Sequence, residues 1–185
     1  LKTKIKIDNK QDITISSQNT AQKNIPIYHK ILLENFRVNQ MDDQIHNLHY
    51  VKYKYKGNNK LVNELIVNTS IQRSIENRSF QKNNAVIIRN ENDTIHTTGV
   101  TAEIISKPTK YWTFNTGFDY YQDNIYSSAK ELNQQTNTIV FKRGLYPNAA
   151  KYNNSSVFNL HHFQLGRLFI ETGLRYNFLK INCLL

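Results

Sequence analysis

The sequence predicts an all-β protein, an antiparallel sheet forming part of a transmembrane β-barrel wall of about six to eight strands, and three observations predict it. First, residues 111–126 alternate for about twice the usual length of a strand. Trp112, Phe114, Phe118 and Tyr120 fall on one face with Thr116, and Thr113, Asn115, Asp119 and Asp123 on the other. Successive side chains of a strand point to opposite faces, so this ribbon has an aromatic side and a carboxylate-bearing side. Such a ribbon suits a wall between lipid and a wet lumen. Second, five other segments from residue 45 onward alternate in the same way. Third, the connections between these segments read short, long, short, long, short. Outer-membrane barrels keep short turns on one rim and long loops on the other, whereas a sandwich with water at both ends has no reason to sort loops by parity.

The elements follow in chain order. Residues 2–7 and 12–16 suit a hairpin around Asp8-Asn9-Lys10, and Ile31, Leu32, Leu33 and Phe36 form an apolar patch that fits a strand or a short helix equally. Residues 1–44 are accordingly an undecided strand or loop region. Residues 45–56 set Val51, Tyr53 and Tyr55 against Lys52, Lys54 and Lys56, with a break of phase at Leu48-His49-Tyr50 that suits a bulge. A turn at Gly57-Asn58-Asn59-Lys60 leads into 61–76, where Leu65, Val67, Thr69 and Ile71 share a face. Residues 77–93 read as a long polar loop. Residues 94–105 alternate Val100, Ala102 and Ile104 with Thr101 and Glu103, and the turn at 106–110 places Pro108 outside the ladder. After 111–126 a second long loop is expected over 127–154. Strands at 156–165 and 168–181 follow, joined by Gly166-Arg167.

The 185 residues are enough for one domain, read as a single partial barrel over 1–185, and 39% apolar content is low for a soluble globular chain. No apolar run is long enough for a membrane-spanning helix, which leaves strands unaffected because alternation hides their apolar half. The net charge of +10 suits a phosphate-bearing surface or an anionic ligand. The basic residues are scattered and no helix-turn-helix or RNA-binding signature accompanies them, so nucleic acid is not an expected partner. The single cysteine, Cys183, excludes an internal disulfide and a cysteine-based zinc site. A first residue of Leu1, with no signal-like segment after it, suggests a removed leader or a piece of a longer chain.

Tyr53, Tyr55, Tyr111, Trp112, Tyr120 and Tyr126 are candidates for aromatic girdles at headgroup depth. His161 and His162 are adjacent and so point to opposite faces, and His46 and His49 do likewise, which leaves no spaced metal ligands. Glu64, Glu103, Asp119, Asp123, Glu171 and Arg175 fall on the polar face, where mutual neutralisation between neighbouring strands is the simplest role. Arg78, Lys82, Arg89, Lys142, Arg143 and Tyr146 are the candidate ligand-binding residues of the long loops, able to hold an anionic ligand or lipopolysaccharide phosphates. No phosphate-cradling glycine loop, serine elbow or HExxH pattern is present, so neither an enzyme nor a bound cofactor is expected.

The run from Asn115 through Gly117, Phe118 and Tyr120 to Tyr126, then Arg143-Gly144-Leu145-Tyr146-Pro147-Asn148, then Thr172-Gly173-Leu174-Arg175-Tyr176-Asn177, resembles the barrel of TonB-dependent outer-membrane receptors, especially those of Bacteroidetes. Residues 43–53 are also similar to a barrel strand of that group, and the resemblance covers roughly residues 25–180. It implies location in the bacterial outer membrane and a barrel of about 22 strands around a plug. It also implies energy delivered through the TonB complex and uptake of an iron chelate such as a siderophore, haem, cobalamin or a glycan. No plug domain is matched, so the chain reads as a slice of such a barrel. A soluble lipocalin-like barrel that binds a small molecule would use the same alternation with the apolar face turned inward.

Overall fold

A computed structural model describes residues 1–183. The chain is all-β: nine strands form one antiparallel sheet, and the only helix among the described residues is the single short one, α1 (Tyr28–Leu33). The strands are β1 (Lys2–Lys6), β2 (Gln11–Pro26), β3 (Phe36–Lys56), β4 (Glu64–Lys82), β5 (Ile87–Thr109), β6 (Trp112–Asn133), β7 (Ile139–Arg143), β8 (Ala150–Leu165) and β9 (Leu168–Asn182). Each pairs with its neighbour in sequence, except that β7 and β8 share one edge of β6, β7 along residues 128–132 and β8 along 112–125. The sheet is open, with β1 and β9 as its edges.

The expected hairpin near the N-terminus is present as β1 and β2, in register from Lys2↔Ser16 to Lys6↔Asp12. The undecided patch resolves into both alternatives in turn, α1 and then the start of β3. Two expectations are corrected. The bulge lies not at residues 48–50, where Leu48↔Gln72, His49↔Ile71 and Tyr50↔Ser70 pair without a break, but at Phe36/Val38 and Met41/Gln44. The stretches 77–93 and 127–154 are mostly strand: β4 runs to Lys82, β5 begins at Ile87, and β6 continues to Asn133. Much of their length is polar on both faces, as in Arg89-Asn90-Glu91-Asn92-Asp93, and their apolar residues fall in runs such as Ile139-Val140-Phe141, which leaves no hydrophobic period but keeps the ladder intact. The short and long loop alternation therefore dissolves, and the count rises to nine strands from the six to eight expected.

Register turns the alternation of single strands into rows across the sheet. One row reads Ile5, Ile13, Tyr53, Val67, Ala102, Phe118, Val157, Tyr176. The next reads Ile15, Val51, Thr69, Val100, Tyr120, Ser155, Phe178, and on the other side lie Tyr55, Leu65, Ile104 and Leu174. On the opposite face one row reads Thr14, Lys52, Asn68, Thr101, Asp119, Ser156, Asn177. Burial is inverted relative to a water-soluble domain. Thr14, Ser16, Glu91, Asp93, Ser127 and Ser156 are buried, all on the polar face, while Ile5, Ile15, Val51, Val100, Phe118, Val157, Leu174 and Phe178 on the apolar face are exposed.

Two glycines on the polar face lie directly under aromatic rings. A Cβ on Gly117 would lie 2.2 Å from the ring of its cross-strand partner Phe158, and one on Gly99 would lie 2.6 Å from the ring of Tyr121. Aromatic rings lying over bare backbone are a recurrent device for bending a sheet while keeping its register.

Candidate functional site

Beyond the apolar rows, the upper parts of β4, β5 and β6 carry a charged cluster on the polar face. Direct pairing of Arg78 with Glu91, and of Glu91 with Ala129, sets a guanidinium and a carboxylate side by side over a methyl group small enough to leave them room. Arg78 Nη2 donates to Glu91 Oε2 at 2.9 Å and lies 3.7 Å from Asp93 Oδ2. Arg89 Nε donates to Glu91 Oε1 at 3.0 Å, and its Nη1 lies 3.5 Å from Glu131, which Lys142 Nζ approaches at 3.6 Å. Glu91 is 7% and Asp93 3% exposed. Within the cluster Arg78 Nε and Asp93 Oδ2 are buried without a hydrogen-bond partner. Ser127 donates to the other Asp93 oxygen and accepts from the backbone N–H of Tyr146, while Asn148 accepts from the backbone N–H of Ser127. Residues 144–149, which interrupt the edge between β7 and β8, are thereby tied to the same cluster.

The candidate residues thus meet only in part. Arg78 and Arg89 lie on strands, not in loops, and with Lys142 they belong to one ion-pair network. Arg143 joins it through its backbone carbonyl, which accepts from Arg89 Nη2 at 3.1 Å. Tyr146 joins through its backbone, and Lys82 ends β4 outside the network. Glu91, Asp93 and Ser127 were missed by sequence reasoning. The period-two charge run Arg89, Glu91, Asp93 was the available signal for placing them on a strand beside Arg78.

Nearer the short turns, most carboxylates of the polar face are taken up pairwise, Glu64 by Lys54 at 2.6 Å, Asp119 by Arg175 at 2.8 Å, Asp123 by the Thr97 hydroxyl at 2.6 Å and Glu171 by His162 at 2.7 Å, while Glu103, opposite Ile66 and Gly117, has no partner among the described residues. Between the two charged regions lies a shallow trough walled by Tyr50 and Tyr121, with Ser70 and Gly99 as its floor. Among the described residues no group of three or more His, Cys, Asp or Glu is placed to hold a metal ion.

On the apolar face, Trp112 stacks on Phe163 with centroids 5.8 Å apart and donates from Nε1 to His161 Nδ1 at 3.1 Å; Phe114 packs against the same histidine. Tyr53 donates to Gln11 at 2.7 Å, and Tyr126 lies much higher, beside His96. In the turn between β1 and β2, the backbone N–H of Lys10 holds the Asp8 carboxyl below the ordinary aspartate range, with added hydrogen bonds from Gln11. No protein-family model matches the chain, and comparison with curated proteins finds no match.

Proposed function

We propose that this chain is part of the wall of an outer-membrane β-barrel receptor of the TonB-dependent kind, which captures a ligand at its outer rim and passes it through a polar lumen. The observation that carries the reading is the inverted burial: Ser127, Ser156, Glu91 and Asp93 buried on the polar face, and a largely apolar belt, interrupted at Thr116 and Asn159, exposed on the other. From the Trp112 row to the Tyr120 row the belt spans about 26 Å of strand at ~3.3 Å per residue. At the tilt usual for barrels that is roughly 20 Å of height, close to the ~25 Å apolar band of such proteins. A lipocalin-like module needs the opposite arrangement, with apolar residues turned in. β4, β5 and β6 run on for ten or so residues past the belt, which supports a stiff extracellular rim carrying Arg78, Arg89, Lys142, Arg143 and Tyr146. Open edges at β1 and β9 are where further strands of a closed barrel would pair.

The ligand classes that fit this reading are an iron chelate, haem, cobalamin or a glycan. The test begins with the chain in water, where it should aggregate through its exposed belt and edges and become dispersed in detergent. A soluble, monodisperse monomer without detergent would refute the membrane reading. In reconstituted material, binding of a ferric chelate or an oligosaccharide should weaken when Arg143→Ala and Tyr146→Ala are combined. Unchanged binding would remove these residues from the ligand site.

A further inference from the structure

The end of the sheet that carries the short turns is lined with unpaired cations. Lys6 and Lys10 flank the β1–β2 turn, Lys56 and Lys60 the β3–β4 turn, Lys107 and Lys110 the β5–β6 turn, and Arg167 sits in the β8–β9 turn. All are exposed, and among the described residues none of them has a carboxylate partner. The turns are stitched together, since the backbone N–H of Lys56 donates to Lys10 O at 2.7 Å and that of Lys107 to Lys60 O at 2.8 Å. Most nearby carboxylates are engaged elsewhere: Asp12 by Lys4, Glu64 by Lys54 and Glu171 by His162, while Asp8 is held mainly by the backbone of its own turn and also feels the charge of Lys10, and Glu103 has no partner among the described residues. At the opposite end Arg78, Arg89, Lys142, Lys23 and Lys30 have acidic partners, whereas Arg37, Lys82, Lys130, Arg143, Lys151 and Lys180 have none among the described residues.

We infer that this rim binds the phosphates of anionic phospholipid headgroups and so fixes the height of the wall in the bilayer. The inference rests on the membrane reading above. The cations form a line, one turn deep and about 34 Å long at ~4.8 Å per strand. That is the shape of a headgroup layer meeting a wall, not of a compact docking patch for a folded partner. Tyr55, Trp112 and Phe114 stand at the adjoining margin of the apolar belt, where aromatic rings meet the interface. Lysine stems lie along apolar surface while their ammonium groups reach the phosphates. Lys110 already places its ammonium 4.8 Å from the centre of the Tyr111 ring.

Trp112 is the only tryptophan and stands at this rim, so its fluorescence reports the lipids beside it. The full chain is reconstituted in vesicles containing either brominated phosphatidylglycerol or brominated phosphatidylcholine at equal mole fraction. Quenching by the anionic lipid should be the stronger, with a relative binding constant of about fivefold or more, since each engaged cation is worth about a fivefold factor. The ratio should fall toward one in the Lys107→Gln, Lys110→Gln double variant and at high salt, and stay unchanged in Lys82→Gln. Equal quenching by both lipids overturns the inference and leaves the membrane reading standing. Equal quenching together with salt-sensitive binding of polyglutamate also overturns it and assigns the rim to an acidic protein. Absence of quenching by either lipid removes Trp112 from the bilayer, and the membrane reading falls first.

Discussion

Val157→Lys separates lipid from water on the apolar face. Val157 lies in the most apolar row of the sheet, between Phe118 and Tyr176, with 54% of its surface exposed. If that face meets water, a lysine there is an ordinary surface substitution worth less than about 0.5 kcal/mol in either direction. If it meets hydrocarbon, depth sets the cost. A lysine at the midplane of a barrel costs about 2–4 kcal/mol, falling to about 0–1 near the interfaces. The row of Val157 is the fourth of the belt's five, one above its middle, so about 2 kcal/mol is expected. Asn153, on the same strand and face, lies two rows higher, across from Gln122 and Lys180, where the belt gives way to polar residues. Asn153→Lys should therefore cost less than about 1 kcal/mol. Equilibrium guanidinium unfolding of protein reconstituted in vesicles, compared at constant slope, reads both numbers. Two small and equal shifts would refute the belt as a lipid-facing surface.

Other perturbations probe the polar face and the turns. Glu91→Ala removes the carboxylate shared by Arg78 and Arg89 and leaves these half-buried guanidinium groups with only Asp93 and Glu131 beside them, so a loss of about 1.5–3 kcal/mol is expected in the same unfolding assay. A shift below about 1 kcal/mol would mean that solvent already screens the cluster. Gly144→Ala would put a Cβ 2.1 Å from Ser127 Oγ and 2.6 Å from the backbone N of Ser128. Backbone has to move, and about 1–3 kcal/mol should be lost, with hydrogen exchange rising at residues 127 and 144–149. Because Asp8 is depressed below its unfolded value, its contribution is complete above the ordinary aspartate range and disappears as pH falls through the lower folded value. Amide exchange in the 7–11 turn should rise only under strongly acidic conditions, and Asp8→Asn should abolish that dependence.

Much of the fold was legible because the belt region alternates apolar with polar. Val51, Tyr53 and Tyr55, or Phe118 and Tyr120, announce a strand and its face at once. The signal stops where the environment on both faces becomes aqueous. From Arg89 to Asp93 the chain alternates charge with asparagine, and hydropathy cannot distinguish that from a loop. Only pairing with β4 and β6 makes it a strand. The site followed the same division. Arg78 and Arg89 stood out as cations, but Glu91 lies 13 residues from Arg78 and Glu131 lies 42 from Arg89, and these pairs meet only through register. The five-residue β7 and the tie from Asn148 to Ser127 also depend on contacts across β6, which no local pattern encodes.

A sheet without an apolar interior raises the question of what holds its register, and the answer changes along each strand. Within the belt, a slip of one residue would turn Ile13, Tyr53, Val67 and Phe118 to the polar face and carry Asp12, Lys54, Glu103 and Asp119 onto the apolar face. On the membrane reading each buried charge would cost kilocalories, so hydrocarbon enforces the register there. Above the belt that penalty is gone, since both faces meet water or each other. There the pairs Arg78–Glu91 and Thr97–Asp123, each joining directly opposed residues, take over the role. Their partial burial gives them the strength that exposed pairs lack, and their geometry is lost on a slip in either direction. On that reading the same strands are held in one register by two different interactions, and the Arg78–Glu91 ion pair and the Thr97–Asp123 hydrogen bond stand where lipid would no longer act.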